Sequence, residues 1–148
     1  METSRKPRIL VVDDDRRELE RTLEAIRKHG IGYEARVALG GFEGLDYLLG
    51  RGRFHERRLH PLPDLVLLDL GMEPLDGAAV LDIVNSFEHL RHIQVVILCK
   101  SDEERERVAR ETAGKCVHAP KPLSPESFHD VLLQVAPWTL ASNNARCG

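Results

Sequence analysis

Ile9-Leu10-Val11-Val12 runs directly into Asp13-Asp14, and Leu65-Val66-Leu67-Leu68 runs directly into Asp69. Short apolar runs rich in β-branched residues are typical of buried strands. A carboxylate at the end of such a strand is costly unless it is paired or binds a cation. Because ligands of open parallel α/β sheets sit at the carboxyl ends of the strands, we expect these aspartates to meet at one edge of a sheet.

A lysine completes the predicted cluster. Lys121-Pro122 follows a third strand-like stretch at 115–118. Bound Mg²⁺ would relieve the repulsion between neighbouring carboxylates, and an oxygen-only site suits that ion. One carboxylate can then attack a phosphoryl group while the cation and the Lys121 ammonium absorb the developing charge. The pattern predicts a magnesium-dependent phosphate site, and the Lys121-Pro122 bond is a candidate cis peptide.

The composition narrows the class of protein. With 148 residues the chain has the usual size of one domain, and its hydrophobic content of 42% excludes disordered and collagen-like chains. A net charge of −3 gives no reason to expect nucleic acid as a partner. We see no signal peptide, no apolar run of membrane-spanning length and no metal-ligand spacing among the three cysteines. We therefore expect a cytoplasmic protein with reduced thiols.

Apolar periodicity divides the chain into five strands that alternate with five helices. The strands are predicted at 8–13, 33–38, 65–69, 93–98 and 115–119. The helices are predicted at 15–30, 41–50, 77–88, 101–113 and from 124 onward, with capping boxes formed by Asp15 with Glu18 and by Ser101 with Glu104. Such alternation predicts a parallel sheet that is covered on both faces.

These motifs, in this order, resemble the receiver domain of two-component response regulators over roughly residues 8–136. The family's acidic pair matches Asp13-Asp14, its phosphoacceptor matches Asp69, and its lysine-proline pair matches Lys121-Pro122. The spacing from the acceptor to the Asp76-Gly77 pair is kept, although Pro74 sits one place later than in the commonest form.

The resemblance implies a flavodoxin-like (βα)5 fold, which is α/β with a doubly wound parallel five-stranded sheet in strand order 2-1-3-4-5. It implies that a sensor histidine kinase phosphorylates Asp69, with Lys121 as the catalytic ammonium. It also implies that Mg²⁺ is bound by Asp14, Asp69 and the carbonyl of Gly71, and that Asp13 completes the acidic pocket. The protein would signal through protein contacts and would not be a metabolic enzyme.

Two positions depart from the family pattern. Where the family has a Ser or Thr hydroxyl that bonds the phosphoryl oxygen, this chain has Cys99, and a thiol is a poor donor. The next residue is usually small, and here it is Lys100. The aromatic switch position holds His118, which suits a packed edge residue as well as a switch. An alternative interpretation is therefore a degenerate receiver that serves as a non-switching interaction module.

A further alternative is a small Mg²⁺-dependent phosphohydrolase of the haloacid-dehalogenase type, which also uses an aspartate nucleophile. That family needs a second aspartate two residues after the nucleophile. This chain has Gly71 at that position.

The loop at 50–63 is basic and unusually long. It joins a helix to the start of a strand, so we expect it on the edge opposite the phosphate site, either solvated or as a docking surface. A similar loop occurs in single-domain receivers that partner phytochrome-type histidine kinases, which makes such a kinase a candidate partner.

We divide the chain into an N-terminal extension at 1–7, a receiver domain at 8–136 and a C-terminal tail at 137–148, and we expect no output domain. The tail carries Trp138 and Leu140, and aromatic side chains are common interface anchors. We predict a homodimer built on the C-terminal side, with a tail folded onto its own domain as the alternative.

Overall fold

A parallel five-stranded sheet forms the centre of the protein, in the order β2-β1-β3-β4-β5. The computed structural model describes residues 5–114 and 116–135. Its strands are β1 Arg8–Asp13, β2 Glu34–Leu39, β3 Leu65–Asp69, β4 Gln94–Cys99 and β5 Val117–Pro120. Its helices are α1 Arg16–His29, α2 Gly41–Leu49, α3 Gly77–Asn85, α4 Asp102–Glu111 and α5 Pro125–Val135, with short 3-10 helices at Gly52–Phe54 and Glu88–Leu90. The predicted fold and strand order are confirmed.

The core lies in two layers because successive residues of a strand point to opposite faces of the sheet. Leu10 and Val12 of β1 belong to the layer that packs against α2 and α3. Ile9 and Val11 belong to the layer that packs against α1 and α5. Burial on both faces explains why β1, β3 and β4 are continuous apolar runs.

The helix starts follow the predicted caps, but neither capping box closes. The Asp15 side chain accepts from the backbone N–H of Arg17 and Glu18, and Ser101 accepts from the N–H of Glu104. The predicted return bonds are replaced, since the Asp15 N–H donates to Asp13 and Glu104 accepts from the Lys100 N–H. Both replacements involve residues at the carboxyl edge of the sheet, so the helix starts are tied to that edge.

Helix α3 is shorter than its apolar pattern predicts, which corrects the expected end near Glu88. It ends at Asn85, and the Ser86 hydroxyl donates to the Ile83 carbonyl at 2.6 Å. The 3-10 turn that follows buries Leu90, whereas Phe87 keeps 36% of its surface exposed. The apolar spacing that is typical of a helix therefore continues in the sequence beyond Asn85, where the helix itself ends.

The basic loop after α2 is packed, so the expectation of a freely solvated loop was incomplete. Phe54 is buried, and the Arg57 guanidinium donates to the carbonyls of Tyr47 and Leu48 at 2.7 Å each. These carbonyls lie at the C-terminal end of α2, where a cation is favourable. The loop leads into the start of β3, at the edge opposite the carboxyl ends of the strands.

The proposed anchors of a dimer, Trp138 and Leu140, lie outside the described residues, as do Lys115 and the rest of the predicted tail. Within residues 5–114 and 116–135, no helix combines the length and the apolar character needed to cross a membrane.

Candidate functional site

Asp13 and Asp69 are the last residues of two neighbouring strands. Val12 of β1 is in register with Leu68 of β3, so the aspartates that follow come side by side. Their exposed fractions are only 1% and 4%. Asp14, in the loop that opens α1, is exposed. One carboxylate oxygen from each of the three aspartates lies within 4.8 Å of the others, as expected for strand ends in one parallel sheet.

Lys121 supplies the positive charge of the cluster. Its Nζ lies 2.7 Å from Oδ2 of Asp13 and 3.0 Å from Oδ1 of Asp69, and its side chain is 9% exposed. The backbone N–H of Lys121 donates to the Cys99 carbonyl at 2.8 Å, which extends the β4–β5 pairing up to the lysine. The Lys121-Pro122 peptide is cis, as predicted, and the Glu73-Pro74 peptide is cis as well.

Burial and charge act together on these groups. Burial raises the pKa of Asp13, and the Asp69 carboxylate adds to this effect, while the Lys121 hydrogen bond opposes it. Burial alone would lower the pKa of Lys121, but its hydrogen bonds to Asp13 and Asp69 raise it overall. The lysine therefore stays charged at neutral pH. Three clustered carboxylates face one ammonium, which leaves the site with an excess of negative charge.

The donor atoms fit a hard divalent cation such as Mg²⁺. They are carboxylate oxygens from Asp13, Asp14 and Asp69, without a His or Cys ligand in the cluster. Gly71 lies on the loop after β3, and its N–H donates to Oδ1 of Asp69 at 3.4 Å. The aspartates, Gly71 and Lys121 line an open cleft of about 300 Å³, which is large enough for a divalent cation and a phosphoryl group.

Gly77, the first residue of α3, is required by the close approach of that helix to Asp69. A Cβ at this position would lie 2.5 Å from the Asp69 carbonyl oxygen and 2.9 Å from the Leu70 Cα. Both atoms belong to the backbone and cannot move aside like a side chain. The preceding residue, Asp76, caps α3 by accepting from the Ala79 N–H at 2.9 Å. The Asp76-Gly77 pair therefore sets where α3 begins, next to Asp69.

The positions that depart from the family pattern lie next to the cleft. Cys99 is buried, and burial raises the pKa of its thiol to about 11, so it stays protonated. Lys100 lines the cleft with Asp69 and Lys121. His118 on β5 is half-buried, and burial together with the nearby Arg105 lowers its pKa. His118 lines a second cleft, of about 330 Å³, between α4 and α5.

A contact between α3 and α4 has no signal in the sequence. The Arg107 guanidinium donates to Asp76 at 2.6 Å and to Glu111 at 3.0 Å. The cap role of Asp76 could be read from its place before the helix. Its partner lies 31 residues away on a highly charged helix, where nothing singles out one arginine from the others.

Comparison with known proteins gives one consistent result. The family model of the response regulator receiver domain matches residues 9–133. The chain is 30% identical over 140 residues to a probable methanogenesis regulatory protein, FilR2, of Methanothrix harundinacea (strain 6Ac), which covers 93% of this chain and 86% of that protein. It is 35% identical over 121 residues to the response regulator MprA of Mycobacterium sp. (strain KMS), which covers 82% of this chain. The chain spans only 46% of the length of MprA.

A solved structure shows that the similarity extends to the three-dimensional fold. The bacteriophytochrome response regulator AtBRR is 38% identical to this chain, with a TM-score of 0.80. The match covers 88% of this chain and 92% of AtBRR. The similarity thus extends through the sheet, its helices and the elements that carry the acidic cluster.

Proposed function

The chain belongs to the response regulator receiver family and is a two-component response regulator, and we propose that it accepts a phosphoryl group from a sensor histidine kinase on Asp69. The observation that carries this assignment is the position of Lys121, whose ammonium bridges Asp13 and Asp69 at the carboxyl edge of the sheet. A buried carboxylate beside an ammonium, with two further carboxylates that could hold a divalent cation, suits a nucleophile that receives a dianionic group, because the two cations would offset its charge.

The proposed transfer is an in-line displacement at phosphorus. An oxygen of Asp69 forms the new bond to phosphorus while the bond to the histidine nitrogen of the kinase breaks, and the electron pair of that bond stays on the imidazole. Lys121 places its charge where negative charge develops on the phosphoryl oxygens. Asp14, Asp69 and the Gly71 carbonyl, with Asp13 nearby, would hold Mg²⁺, which when bound would supply further positive charge for these oxygens. Hydrolysis of the acyl phosphate later returns the free carboxylate.

We propose a phytochrome-type histidine kinase as the partner class and the cytoplasm as the location, where receiver domains usually act. Support for the kinase comes from the similarity to the bacteriophytochrome response regulator AtBRR. In the same proposal residues 8–136 form the receiver, 1–7 and 137–148 are extensions, and the C-terminal side forms a homodimer. Signalling then passes through protein contacts, without nucleic acid or membrane as a partner.

One alternative function is supported by an observation in the structure. The Cys99 thiol is buried and protonated, so it is a weak donor where a phosphoryl oxygen would be expected. This favours a receiver that is phosphorylated without switching, and a non-switching interaction module remains the second candidate. Gly71 in place of a second aspartate argues against the haloacid-dehalogenase type of hydrolase.

Intact-mass analysis after incubation with Mg²⁺ and acetyl phosphate tests the assignment. We expect the mass of the protein to increase by one phosphoryl group. No increase should occur without Mg²⁺ or in Asp69→Asn. Asp82→Asn, which removes an exposed carboxylate of α3, is the matched control and should label like the parent protein. Undiminished labelling of Asp69→Asn would show that the acceptor lies elsewhere.

A further inference from the structure

We propose that Lys100 is a second phosphoryl-binding lysine, which contacts the phosphoryl oxygens of phosphorylated Asp69 and supplies the donor that the Cys99 thiol cannot. The proposal rests on the function assigned to Asp69 above. It deepens that function by naming a ligand of the phosphoryl group at a position where a cation was not expected.

The first support is the location of Lys100. It follows β4 directly and lines the same cleft as Asp69, Gly71 and Lys121. Its Nζ lies 4.0 Å from the point where a Cβ on Gly71 would sit, so the ammonium lies over the loop that follows the acceptor. Gly71 has no side chain, so nothing from this residue projects toward the ammonium.

The second support is the way Lys100 is held. Its backbone N–H donates to Oε1 of Glu104 at 2.9 Å, and the Glu104 N–H donates to the Ser101 hydroxyl at 3.1 Å. The start of α4 thus fixes the backbone of Lys100 beside the cleft. The other Glu104 oxygen lies 3.4 Å from the same Cβ point on Gly71. The lysine side chain remains exposed and can extend toward an incoming group.

The third support is the charge of the site. Lys121 is already shared between Asp13 and Asp69. Lys100 forms no ion pair with any residue in the ranges 5–114 and 116–135, so its ammonium is available. Phosphorylation replaces the single negative charge of the Asp69 carboxylate with up to two on the phosphoryl group, and it adds three acceptor oxygens to a site whose carboxylates outnumber its paired ammonium. A second ammonium at the mouth of the cleft gives one of those oxygens a charge-assisted hydrogen bond.

Binding of beryllofluoride, which mimics a phosphoryl group on a carboxylate, tests this contact with the full chain in Mg²⁺. We expect the dissociation constant, measured by calorimetry or ¹⁹F NMR, to rise roughly 3- to 10-fold in Lys100→Ala, since the contact is charge-assisted but partly solvated. Lys100→Arg should retain most of the affinity. Lys28→Ala, which removes the same charge from the last turn of α1, is the matched control and should bind like the parent protein.

Each outcome decides between the two proposals. If Lys100→Ala binds within twofold of the parent while Asp69→Asn does not bind, the acceptor assignment holds and the role of Lys100 is refuted. Equal losses in Lys28→Ala and Lys100→Ala would also refute it, because net charge alone would then explain the effect. If the parent protein neither binds beryllofluoride nor labels with acetyl phosphate, the function of Asp69 fails, and the role of Lys100 fails with it.

Discussion

Gly77→Ala should destabilise the protein, although alanine is the better helix former. Gly77 is the first residue of α3, and a Cβ there would lie 2.5 Å from the Asp69 carbonyl oxygen, 2.9 Å from the Leu70 Cα and 3.1 Å from the Asp69 carbonyl carbon. All three are backbone atoms, so relief requires α3 to move away from β3. Overpacking of this kind costs about 1–3 kcal/mol.

The gain in helix propensity from alanine is smaller than this steric cost. Replacing glycine by alanine inside a helix gains at most about 1 kcal/mol, and less in the first turn. We therefore expect a net loss of about 1–2 kcal/mol in the free energy of unfolding. The strain falls on the backbone of Asp69, the proposed acceptor, so its labelling by acetyl phosphate should also slow.

Urea unfolding followed by circular dichroism measures the loss of stability, and intact-mass analysis measures labelling. Gly32→Ala is the matched control, because its Cβ would meet only the flexible end of Lys6 at 4.0 Å. It should be as stable as the parent protein or slightly more so. A Gly77→Ala protein as stable as Gly32→Ala would refute the steric argument, and with it the view that α3 is held against Asp69.

Four further predictions concern the metal, the switch, the link between α3 and α4, and the oligomeric state. Asp14→Ala should weaken Mg²⁺ binding and slow phosphoryl transfer, as measured by titration and by labelling rate, and unchanged values would remove Asp14 from the metal site. Cys99→Thr should enlarge the amide chemical-shift changes that phosphorylation causes in α4, β5 and α5, and equal responses would show that the thiol costs nothing. Burial alone would raise the pKa of Asp76, but hydrogen bonds from Arg107 and the Ala79 N–H lower it overall. The ionised Asp76 carboxylate therefore stabilises the folded protein at neutral pH. This stabilisation is lost as the pH falls from the ordinary pKa of aspartate through the lower pKa that Asp76 has in the folded protein. Arg107→Ala should reduce that acid-dependent loss in urea titrations at several pH values, and an unchanged pH profile would refute the role of the pair. Light scattering should show a dimer for the full chain and a monomer for a version that ends at Ala136, and two monomers would refute the C-terminal dimer.

Elements whose local signals agreed with their tertiary surroundings were predicted well. Strands β1 and β3 have the predicted bounds because apolar runs buried on both faces leave little choice of end, and each stops at an aspartate. Helix α1 has both a side-chain cap at Asp15 and a left-handed Gly30 at its end. Helix α3 failed at its C-terminal end, where the apolar period continued but Ser86 bonded back to the preceding turn.

The acidic cluster could be predicted because parallel strands bring their carboxyl ends to one edge of the sheet, whichever residues lie between them. The partner of each charge could not be predicted in the same way. Arg107 is one of several arginines on a charged helix, and only the packing of α4 beside α3 selects it for Asp76. Contacts of this kind depend on how helices sit on the sheet, which a single sequence does not encode in any local pattern.

Lys100 shows how information from the sequence and information from the structure combine. From the sequence alone it is a large residue at a position that is usually small, which suggests obstruction of the site. The structure places its ammonium beside the loop after Asp69, with its backbone held by Glu104. Since Cys99 is buried and protonated, the same bulk that suggested obstruction brings a cation to the phosphoryl group. An obstructing lysine would make Lys100→Ala bind beryllofluoride more tightly than the parent protein, whereas a binding lysine makes it bind more weakly, so the sign of one titration separates the two.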